Sequence, residues 1–343
     1  MATMKQIASI AGVSLGTVDR VLNNRGSVNA DTARHIMEIA RSLDYIPNKT
    51  ARCLAVRKQN LKIGCVMISP RSNEFYAQVE AGIQKKAAEL ADYNISVITK
   101  YIDPDEPAGQ NRLLDEMREE NVKGIVLCGY NLPETREKVA ALSYEDIPVI
   151  TACADLPDSG RVCHVGSDNA KMGRVAGQLT KLIGGERVRV GIVVYGHSNM
   201  RSYRSCVDSF EDYVRKNRDT MSISGIEGNY DDDFKSYSVV ETMLREDPGI
   251  NLIFVVSAGI YGACKAVERM EESRRPRVVC LNCTPSAREM MKKGVISAAI
   301  NQQPEYQGSK ALDLMFNLLC FNIKPGREHY HSDMDILIGE CLE

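Results

Sequence analysis

The side chains best suited to binding chemistry lie just after apolar, strand-like runs in the chain beyond residue 60. They are Asn73, Phe75, Tyr76, Asp155, Asp168, Arg201, Arg204, Ser257, Asn282 and Gln302. Aromatic faces stack on the apolar side of a hydroxylated molecule, while carboxylate, amide and guanidinium groups bond to its hydroxyls. Any one of these residues is more typical of a cap or a turn. Their shared position at strand ends nevertheless predicts a pocket for a small polyol.

A second kind of chemistry is indicated by the stretch from Gly12 to Asn24, which has the pattern of a tight turn followed by a short helix. Gly12 allows the sharp turn, and Ser14 can cap a helix that begins at the next residue. An apolar face at helical spacing packs inward and leaves the other faces exposed. The inward residues are Val18, Val21 and Leu22, and the outward ones, candidates for reading DNA bases, are Leu15, Gly16, Asp19, Arg20 and Asn23.

Two further predicted helices make this stretch part of a domain of about 45 residues. Thr3 and Gln6 have the spacing of a capping box at the start of the first helix, and Asn29 can cap the third. The pattern predicts a helix-turn-helix. An ordinary three-helix bundle without a ligand is the alternative.

The distribution of charge favours a polyanionic partner for this amino-terminal domain. Residues 1–60 contain nine Lys or Arg against four Asp or Glu, a net charge of +5. Because the whole chain has a net charge of -2, the remainder is acidic, at -7. A basic segment on an acidic body suits nucleic acid at one end only.

The segment after the third helix is predicted to fold only when something holds it. Pro47 ends helical structure and Asn48 can cap a new start, but the stretch 49–56 is too short for a stable isolated helix. Its basic residues suggest DNA phosphates as the support, and Leu54 then packs against a partner copy or wedges into a minor groove. A plain linker is the alternative. We therefore divide the chain into a head, 1–46, a hinge, 47–60, and a core, 61–343.

The core has the pattern of an α/β protein. Near-continuous apolar runs of strand length alternate with helical stretches, which is typical of parallel sheets covered on both faces. The runs are 62–68, 95–98, 124–128, 148–152, 188–195, 252–256, 277–281 and 296–300. Two such series predict two doubly wound lobes, an N-lobe of about 61–163 plus 296–326 and a C-lobe of about 164–295 plus 327–343. Ligands bind beyond the carboxyl ends of such strands.

Other classes of protein lack support in the sequence. No apolar run approaches the roughly 18 residues of a membrane span, and the start is not a signal peptide, so we expect a cytoplasmic protein. The eleven cysteines are scattered in apolar runs, and a lone Cys280-x-x-Cys283 lacks the second pair of a zinc site. No histidine cluster, phosphate loop or hydrolase elbow is evident, and His329-x-His331 is typical of a solvated loop. We predict neither a cofactor, a metal nor an enzymatic activity.

Several motifs resemble the lactose-repressor (LacI/GalR) family of bacterial transcription regulators. The similarity covers essentially the whole chain, and the body resembles that family's type I periplasmic-binding-protein-like core. The matching residues are Gly12-Val-Ser14, Thr17-Val18, Arg20-Val-Leu-Asn23, Tyr45-x-Pro-Asn48 and Ala51-Arg-x-Leu54, followed in the core by Val165-Gly-Ser-Asp-Asn169 with Gly173 and by Gln302-x-Pro304. The core motifs resemble those of its sugar-binding members.

The resemblance implies roles for individual residues. Leu15, Gly16 and Arg20 occupy base-reading positions, with Arg20 bonding to a guanine edge. Leu54 is the residue that inserts into the minor groove. The resemblance also implies that a further set of residues in the head and hinge contacts the DNA. These residues are Thr3, Ser14, Thr17, Asn23, Asn48, Ala51 and Arg52. In the pocket the resemblance points to Phe75 as the stacking residue and to Arg201 or Arg204, Asn282 and Gln302 as hydroxyl binders.

This chain departs from the family pattern at several positions. In the head, Gln6 replaces an acidic residue, Asp19 replaces a small one, and Gly16 offers no side chain for base reading. In the core, Cys206 lies where the sugar-binding arginine is usual, four residues before Phe210, and Ser257 replaces an Asn or Asp. No leucine-heptad tail follows Glu343, so a tetramer is not expected.

Together these patterns predict a homodimeric, sequence-specific DNA-binding regulator, in particular a repressor with an imperfectly palindromic operator. Its operator affinity is expected to depend on a small sugar-like ligand bound between the lobes. A sugar-binding protein for transport or sensing, without gene regulation, is the alternative. That alternative requires an export signal and no basic head, whereas the sequence has the reverse.

Overall fold

The computed structural model describes residues 2–22, 28–43, 45, 60–71, 73–196 and 201–342, without the side chains of Arg201 and Ser202. They form a three-helix head and a two-lobed α/β core. The predicted hinge contacts Asn48, Ala51, Arg52 and Leu54, and the predicted phosphate contact Asn23, lie outside the described residues. In the part of the chain that is described, no helix combines the length and apolarity needed to cross a membrane.

The head consists of α1 (Met4–Ala11), α2 (Leu15–Leu22) and α3 (Ala30–Ser42). The predicted capping box is present, because Thr3 Oγ1 accepts from the Gln6 amide while Gln6 Oε1 accepts from the Thr3 amide. Gly12 ends α1 with φ +65°, a conformation that glycine adopts without strain. Ser14 Oγ accepts from the Thr17 amide at 3.1 Å. The local predictions for the turn and both caps are therefore confirmed.

The N-lobe is built on a six-stranded sheet in which every pairing is parallel. In spatial order its strands are β11 (His329–His331), β5 (Cys163–Gly166), β4 (Val149–Ala152), β3 (Ile125–Cys128), β1 (Lys62–Ile68) and β2 (Ser96–Ile102). The helices that accompany it are α4 (Glu74–Ala91), α5 (Gln110–Glu119), α6 (Pro133–Tyr144) and α12 (Pro304–Phe321). The four central strands are almost completely buried. The continuous apolar sequences of β1, β3 and β4 predict this burial, whereas β5, with the sequence Cys-His-Val-Gly, was not predicted.

The C-lobe repeats this plan with one antiparallel edge strand. In spatial order its strands are β12 (Asp335–Leu337), β10 (Ile296–Asn301), β9 (Arg277–Leu281), β8 (Leu252–Val255), β6 (Val188–Val194) and β7 (Met221–Gly228). Its helices are α7 (Asn169–Gly184), α8 (Arg201–Lys216), α9 (Asp233–Glu246), α10 (Ile260–Glu268) and α11 (Pro285–Lys292). All eight apolar runs noted in the sequence are strands of one sheet or the other, which confirms the doubly wound α/β class.

The predicted division of the core into lobes was wrong at three places. The run 296–301 pairs with β9 and belongs to the C-lobe rather than the N-lobe. Residues 329–331 pair with β5 and belong to the N-lobe rather than the C-lobe, and β5 itself extends the N-lobe to Gly166. An apolar run has the same pattern in either sheet, so its partner cannot be read from it.

The chain thus crosses between the lobes three times, at 167–168, 302–303 and 332–334. Hydrogen bonds tie the crossings together. Ser167 Oγ and Ser332 Oγ lie 3.1 Å apart, and Gln307 Nε2 donates to the Gln302 carbonyl oxygen at 2.8 Å. All three crossings therefore meet at one side of the molecule, where they form the joint between the lobes.

Helices α4 and α12 approach each other unusually closely in the N-lobe. A Cβ atom on Gly82 would lie 2.0 Å from the backbone oxygen of Glu305, and one on Gly308 would lie 2.3 Å from the backbone oxygen of Val79. Only glycine fits at such a contact, because backbone atoms cannot move aside as a side chain can. The two helices pack backbone to backbone.

Candidate functional site

A cavity of about 550 Å³ lies between the lobes and receives side chains from both of them. Six of the predicted ligand-binding residues line it. They are Asn73, Phe75 and Tyr76 from the start of α4 in the N-lobe, and Ser257, Asn282 and Gln302 from strand ends of the C-lobe. Its volume is typical of a site for one small molecule.

Asn73 connects the two walls of the cavity. Its Oδ1 accepts from the Phe75 amide at 2.9 Å and so caps α4. Its Nδ2 donates to Asp231 Oδ2 in the other lobe at 3.2 Å. The same side chain therefore fixes the start of the helix that carries Phe75 and Tyr76 and forms a direct bond between the lobes.

Asp231 is an acidic group of the cavity wall that was not predicted from the sequence. It follows β7 and has φ +59°, and its Oδ1 accepts from the Ala258 amide at 2.9 Å. Removal from water raises the pKa of its carboxyl to about 6, against the opposing effect of the bonds from Ala258 and Asn73. The missed signal was β7 itself. As an edge strand it is only half-buried, so it lacks the continuous apolar run of the central strands.

Ser257 supports this turn instead of presenting a free hydroxyl to the cavity. Its Oγ donates to Asn229 Oδ1 at 2.8 Å, and Asn229 Oδ1 also accepts from the Asp231 backbone amide at 3.1 Å. Both Ser257 and Asn229 are buried. This chain thus has Ser257 where the family usually carries Asn or Asp, and the carboxylate in this part of the cavity comes from Asp231, which follows β7.

Two further contacts join the lobes at the edge of the cavity. Glu74 Oε2 accepts from the Ser286 amide at 3.2 Å and from its Oγ at 2.6 Å, at the amino-terminal end of α11. A carboxylate is favourable there because the helix dipole is positive at that end. Gln78 Nε2 donates to the Cys283 backbone oxygen at 3.4 Å. With the bond from Asn73 to Asp231, these contacts join the two lobes across the cavity.

Three predicted ligand residues lie elsewhere, and their assignment to the cavity was wrong. Asp155 forms two hydrogen bonds with Arg161, from Nε at 2.5 Å and from Nη2 at 2.8 Å. Burial acts to raise the pKa of this carboxyl, but the hydrogen bonds and positive charge of Arg161 outweigh that effect and lower the pKa to about 2. Asp168 caps α7 by accepting from the Lys171 amide at 2.8 Å. Both are therefore satisfied by neighbours in sequence.

The third is Arg204, whose side chain is 79% exposed and pairs with Asp208 on the same face of α8 at 2.9 Å. It points outward because Cys206 and Phe210, fully buried, form the inward face of that helix. The position where the family carries its sugar-binding arginine is therefore part of the core. The side chain of Arg201 lies outside the described residues. Cavity residues not predicted from the sequence include Arg71, Glu74, Tyr203, Asp231, Asp233 and Glu289.

A histidine group exists beside the joint, although none was evident in the sequence. The rings of His164 and His329 lie 6.1 Å apart, and those of His329 and His331 lie 6.0 Å apart. These residues line a second cavity of about 380 Å³ with Asp155 and Asp168. Burial lowers the pKa of His164 to about 4, so this ring is neutral at physiological pH. The pairing of β11 with β5 brings the three histidines together across more than 160 residues.

The predicted reading face of the head is accessible. Leu15 is 44% exposed, Gly16 and Arg20 are also exposed, and Val18 on the opposite face is completely buried. Arg20 Nε donates to the Gly16 backbone oxygen at 3.2 Å, which lays the guanidinium along the surface of α2. Thr3 is exposed at the start of α1, and the hydroxyls of Ser14 and Thr17 lie 2.9 Å apart at the start of α2. The predicted contacts of this face therefore lie at the surface.

Two α/β lobes with three crossings around a central cavity define the class of periplasmic-binding-protein domains, and residues 63–323 match the family model described as periplasmic binding protein domain. Residues 3–48 match the model described as bacterial regulatory proteins, lacI family. The core belongs to the periplasmic-binding-protein domain family, and the head is a DNA-binding domain of the lacI type. With both domains in one chain, the protein is a sugar-responsive type of transcriptional regulator. Proteins with these domains are regulatory or sugar-binding rather than enzymatic.

Similar proteins include regulators and a binding protein. Catabolite control protein A of Staphylococcus aureus is 25% identical over 252 residues, which is 71% of each chain. The HTH-type transcriptional regulator DegA of Bacillus subtilis is 27% identical over 157 residues, 45% of this chain and 44% of that one. The crystal structure of GanP, a glucose-galactose binding protein from Geobacillus stearothermophilus, superposes with a TM-score of 0.71 at 24% identity and covers 82% of this chain and 98% of that chain. The last similarity concerns the fold alone.

Proposed function

We propose that the protein is a cytoplasmic, homodimeric repressor whose operator is an imperfect palindrome and whose effector is a sugar-like molecule bound in the cavity between the lobes. The observation that carries this proposal is the combination in one chain of an exposed reading face on α2 with a cavity walled by both lobes. Two heads of a symmetric dimer would each read one half of the operator. An export function would leave the head without a role.

The effector would act by changing how the lobes sit relative to each other. Asn73, Glu74 and Gln78 all lie at the start of α4 and bond to the C-lobe, so a ligand among them changes the contacts that hold the lobes together. In a dimer that change would alter the spacing of the two hinges and so their ability to fold on DNA. Couplings of this kind amount to about 1–3 kcal/mol.

Binding to randomised DNA duplexes tests the proposed function directly. We expect repeated selection with the purified full chain to recover one sequence with two related halves, and sedimentation at the same concentration to show a dimer. A purified chain that prefers no sequence, or that sediments as a monomer while bound to its site, contradicts the proposal.

The variant Arg20→Met should lose most of the discrimination between the selected sequence and random DNA. Methionine retains the long unbranched side chain, but it cannot donate the two hydrogen bonds to a guanine edge that we assign to Arg20, so we expect a loss of about 10- to 100-fold in specific affinity. Fluorescence anisotropy with a labelled duplex measures it. Arg218→Met, an exposed arginine of the C-lobe, is the matched control and should bind as the wild type does. Equal losses in both variants would contradict the assignment of Arg20 as a base-reading residue.

The variant Leu54→Ala should weaken operator binding while leaving effector affinity unchanged. We assign Leu54 to the minor-groove wedge of the hinge, where a shorter side chain cannot part the base steps. Calorimetry with the effector and gel shift with the operator separate the two affinities. The opposite pattern, a loss of effector affinity with normal operator binding, would refute the assignment.

A further inference from the structure

The charged side chains that line the cavity between the lobes are mostly acidic. In the described part of the chain they are Glu74, Asp231, Asp233 and Glu289 against a single guanidinium, Arg71. A ligand that enters this cavity therefore meets an excess of negative charge. An anionic group on the ligand would be repelled, since like charges a few ångströms apart interact strongly where water is partly excluded.

Three of the four carboxylates are already engaged at the periphery. Glu74 bonds to Ser286 at the start of α11, Asp233 Oδ1 accepts from the Gly262 amide at 2.9 Å, and Glu289 pairs with Lys293 at 2.5 Å. Their charges are stabilised by a helix terminus, a backbone amide and an ammonium group respectively. None of them requires a ligand.

Asp231 differs from the other three because it is partly withdrawn from solvent, whereas Glu74, Asp233 and Glu289 are exposed. Its hydrogen-bond donors are the Ala258 amide and the Asn73 side-chain amide, both neutral, and among the described residues no Lys, Arg or His forms a salt bridge with it. A carboxylate drawn out of water without a cation is costly, and this cost raises its pKa. The wall of the cavity therefore contains a negative charge that no described cation balances.

Aromatic side chains lie near this carboxylate in the wall of the cavity. Phe75, Tyr76 and Tyr203 line the same cavity, with Phe75 and Tyr76 edge to face at 5.3 Å between ring centroids and Tyr203 stacked on Tyr195 at 6.4 Å. Burial raises the pKa of Tyr203 well above its usual range, and the nearby charge of Asp231 raises it further. The faces of such rings attract a cation, and the attraction is greatest where water is excluded.

We propose that the effector carries a cationic nitrogen, as an amino sugar or another amino polyol does, and that its ammonium group binds against Asp231 among these aromatic rings. The inference rests on the proposed function, because it takes the cavity to be the effector site. Asn282 and Gln302, which line the same wall, are left for the hydroxyls of the ligand. Sugar phosphates are the class that this site disfavours.

Matched sets of ligands test the assignment on the full chain. D-glucosamine, D-glucose and D-glucose 6-phosphate form one set, and D-galactosamine with its neutral and phosphorylated counterparts forms the second. We expect calorimetry to show at least a tenfold preference for an amine over its neutral parent and no detectable binding of the phosphates. Asp231→Asn should bring the affinity for the amine down to that for the parent sugar.

Asp208→Asn is the control for this variant, because Asp208 is an exposed carboxylate outside the cavity and should leave the preference intact. A circular-dichroism spectrum and a melting temperature like those of the wild type show that Asp231→Asn is folded. If neither amine binds more tightly than its parent, or if Asp231→Asn keeps the preference, the cationic assignment is overturned. Whether the chain prefers one DNA sequence does not depend on whether its ligand is cationic, so a failure of the regulator proposal would be seen separately, as the lack of any preferred DNA sequence.

Discussion

Raising the salt concentration from 50 to 200 mM should lower the affinity of the full chain for its operator by about 10³-fold. Each phosphate neutralised by a Lys or Arg releases condensed counterions, and about six such contacts in a dimer give a loss of this size. The head and hinge supply the cations, with nine basic against four acidic residues in each copy, whereas the remainder of the chain is acidic. The electrostatic contribution should therefore come from the amino-terminal 60 residues alone.

Fluorescence anisotropy at four or more salt concentrations gives the slope of the logarithm of affinity against the logarithm of salt. Effector binding measured over the same range is the internal control, since a ligand held mainly by hydrogen bonds and one ion pair should lose far less. Arg218→Met should leave the slope for DNA unchanged. A flat response for the operator would exclude binding driven by phosphate contacts.

The substitution Gly82→Ala should destabilise the core by about 3 kcal/mol, although the same change in an open helix usually stabilises by up to about 1 kcal/mol. The added Cβ would lie 2.0 Å from the Glu305 backbone oxygen and 2.8 Å from its Cα, so α4 and α12 must move apart. That separation loosens the contact between the two helices and disrupts the packing of their buried residues.

Thermal unfolding followed by circular dichroism measures this effect, and a loss of about 3 kcal/mol corresponds to roughly 6–12 °C in the melting temperature. Gly16→Ala is the matched control, because Gly16 is helical and has no atom nearer than 3.8 Å to the position of its added Cβ. It should leave the melting temperature of the core unchanged. A core that tolerates alanine at position 82 would show that the helices are not held in backbone contact.

Local features could be predicted from the sequence because their causes are local. The capping box at Thr3, the turn at Gly12 and the cap at Asn29 each depend on residues within four positions of each other, and all three are present. The central strands other than β5 could also be predicted, since burial on both faces favours a continuous apolar run. The strands β5, β7, β11 and β12 were not identified. Strands β7, β11 and β12 lie at sheet edges, where the run is short or interrupted, and the central strand β5 has only four residues, one of them a histidine.

The site was only partly predictable because a polar residue at a strand end has several possible partners. Asn73 reaches the cavity, but Asp155 is taken by Arg161 and Arg204 by Asp208, each an interaction a few residues away. Asp231 was hidden in a run of acidic residues after an edge strand. Which of several carboxylates faces a cavity depends on the turn geometry at its own position, and composition does not reveal it.

The three crossings have a consequence for the integrity of the molecule. Neither lobe is a contiguous piece of chain, because β11 returns to the N-lobe after β10 has completed the main body of the C-lobe. A protease that cleaves any one crossing would leave the halves attached by the other two, and no single truncation isolates an intact lobe. Strand β11 can pair with β5 only after nearly the whole polypeptide has been synthesised. The N-lobe, most of which leaves the ribosome first, is therefore completed only near the end of synthesis.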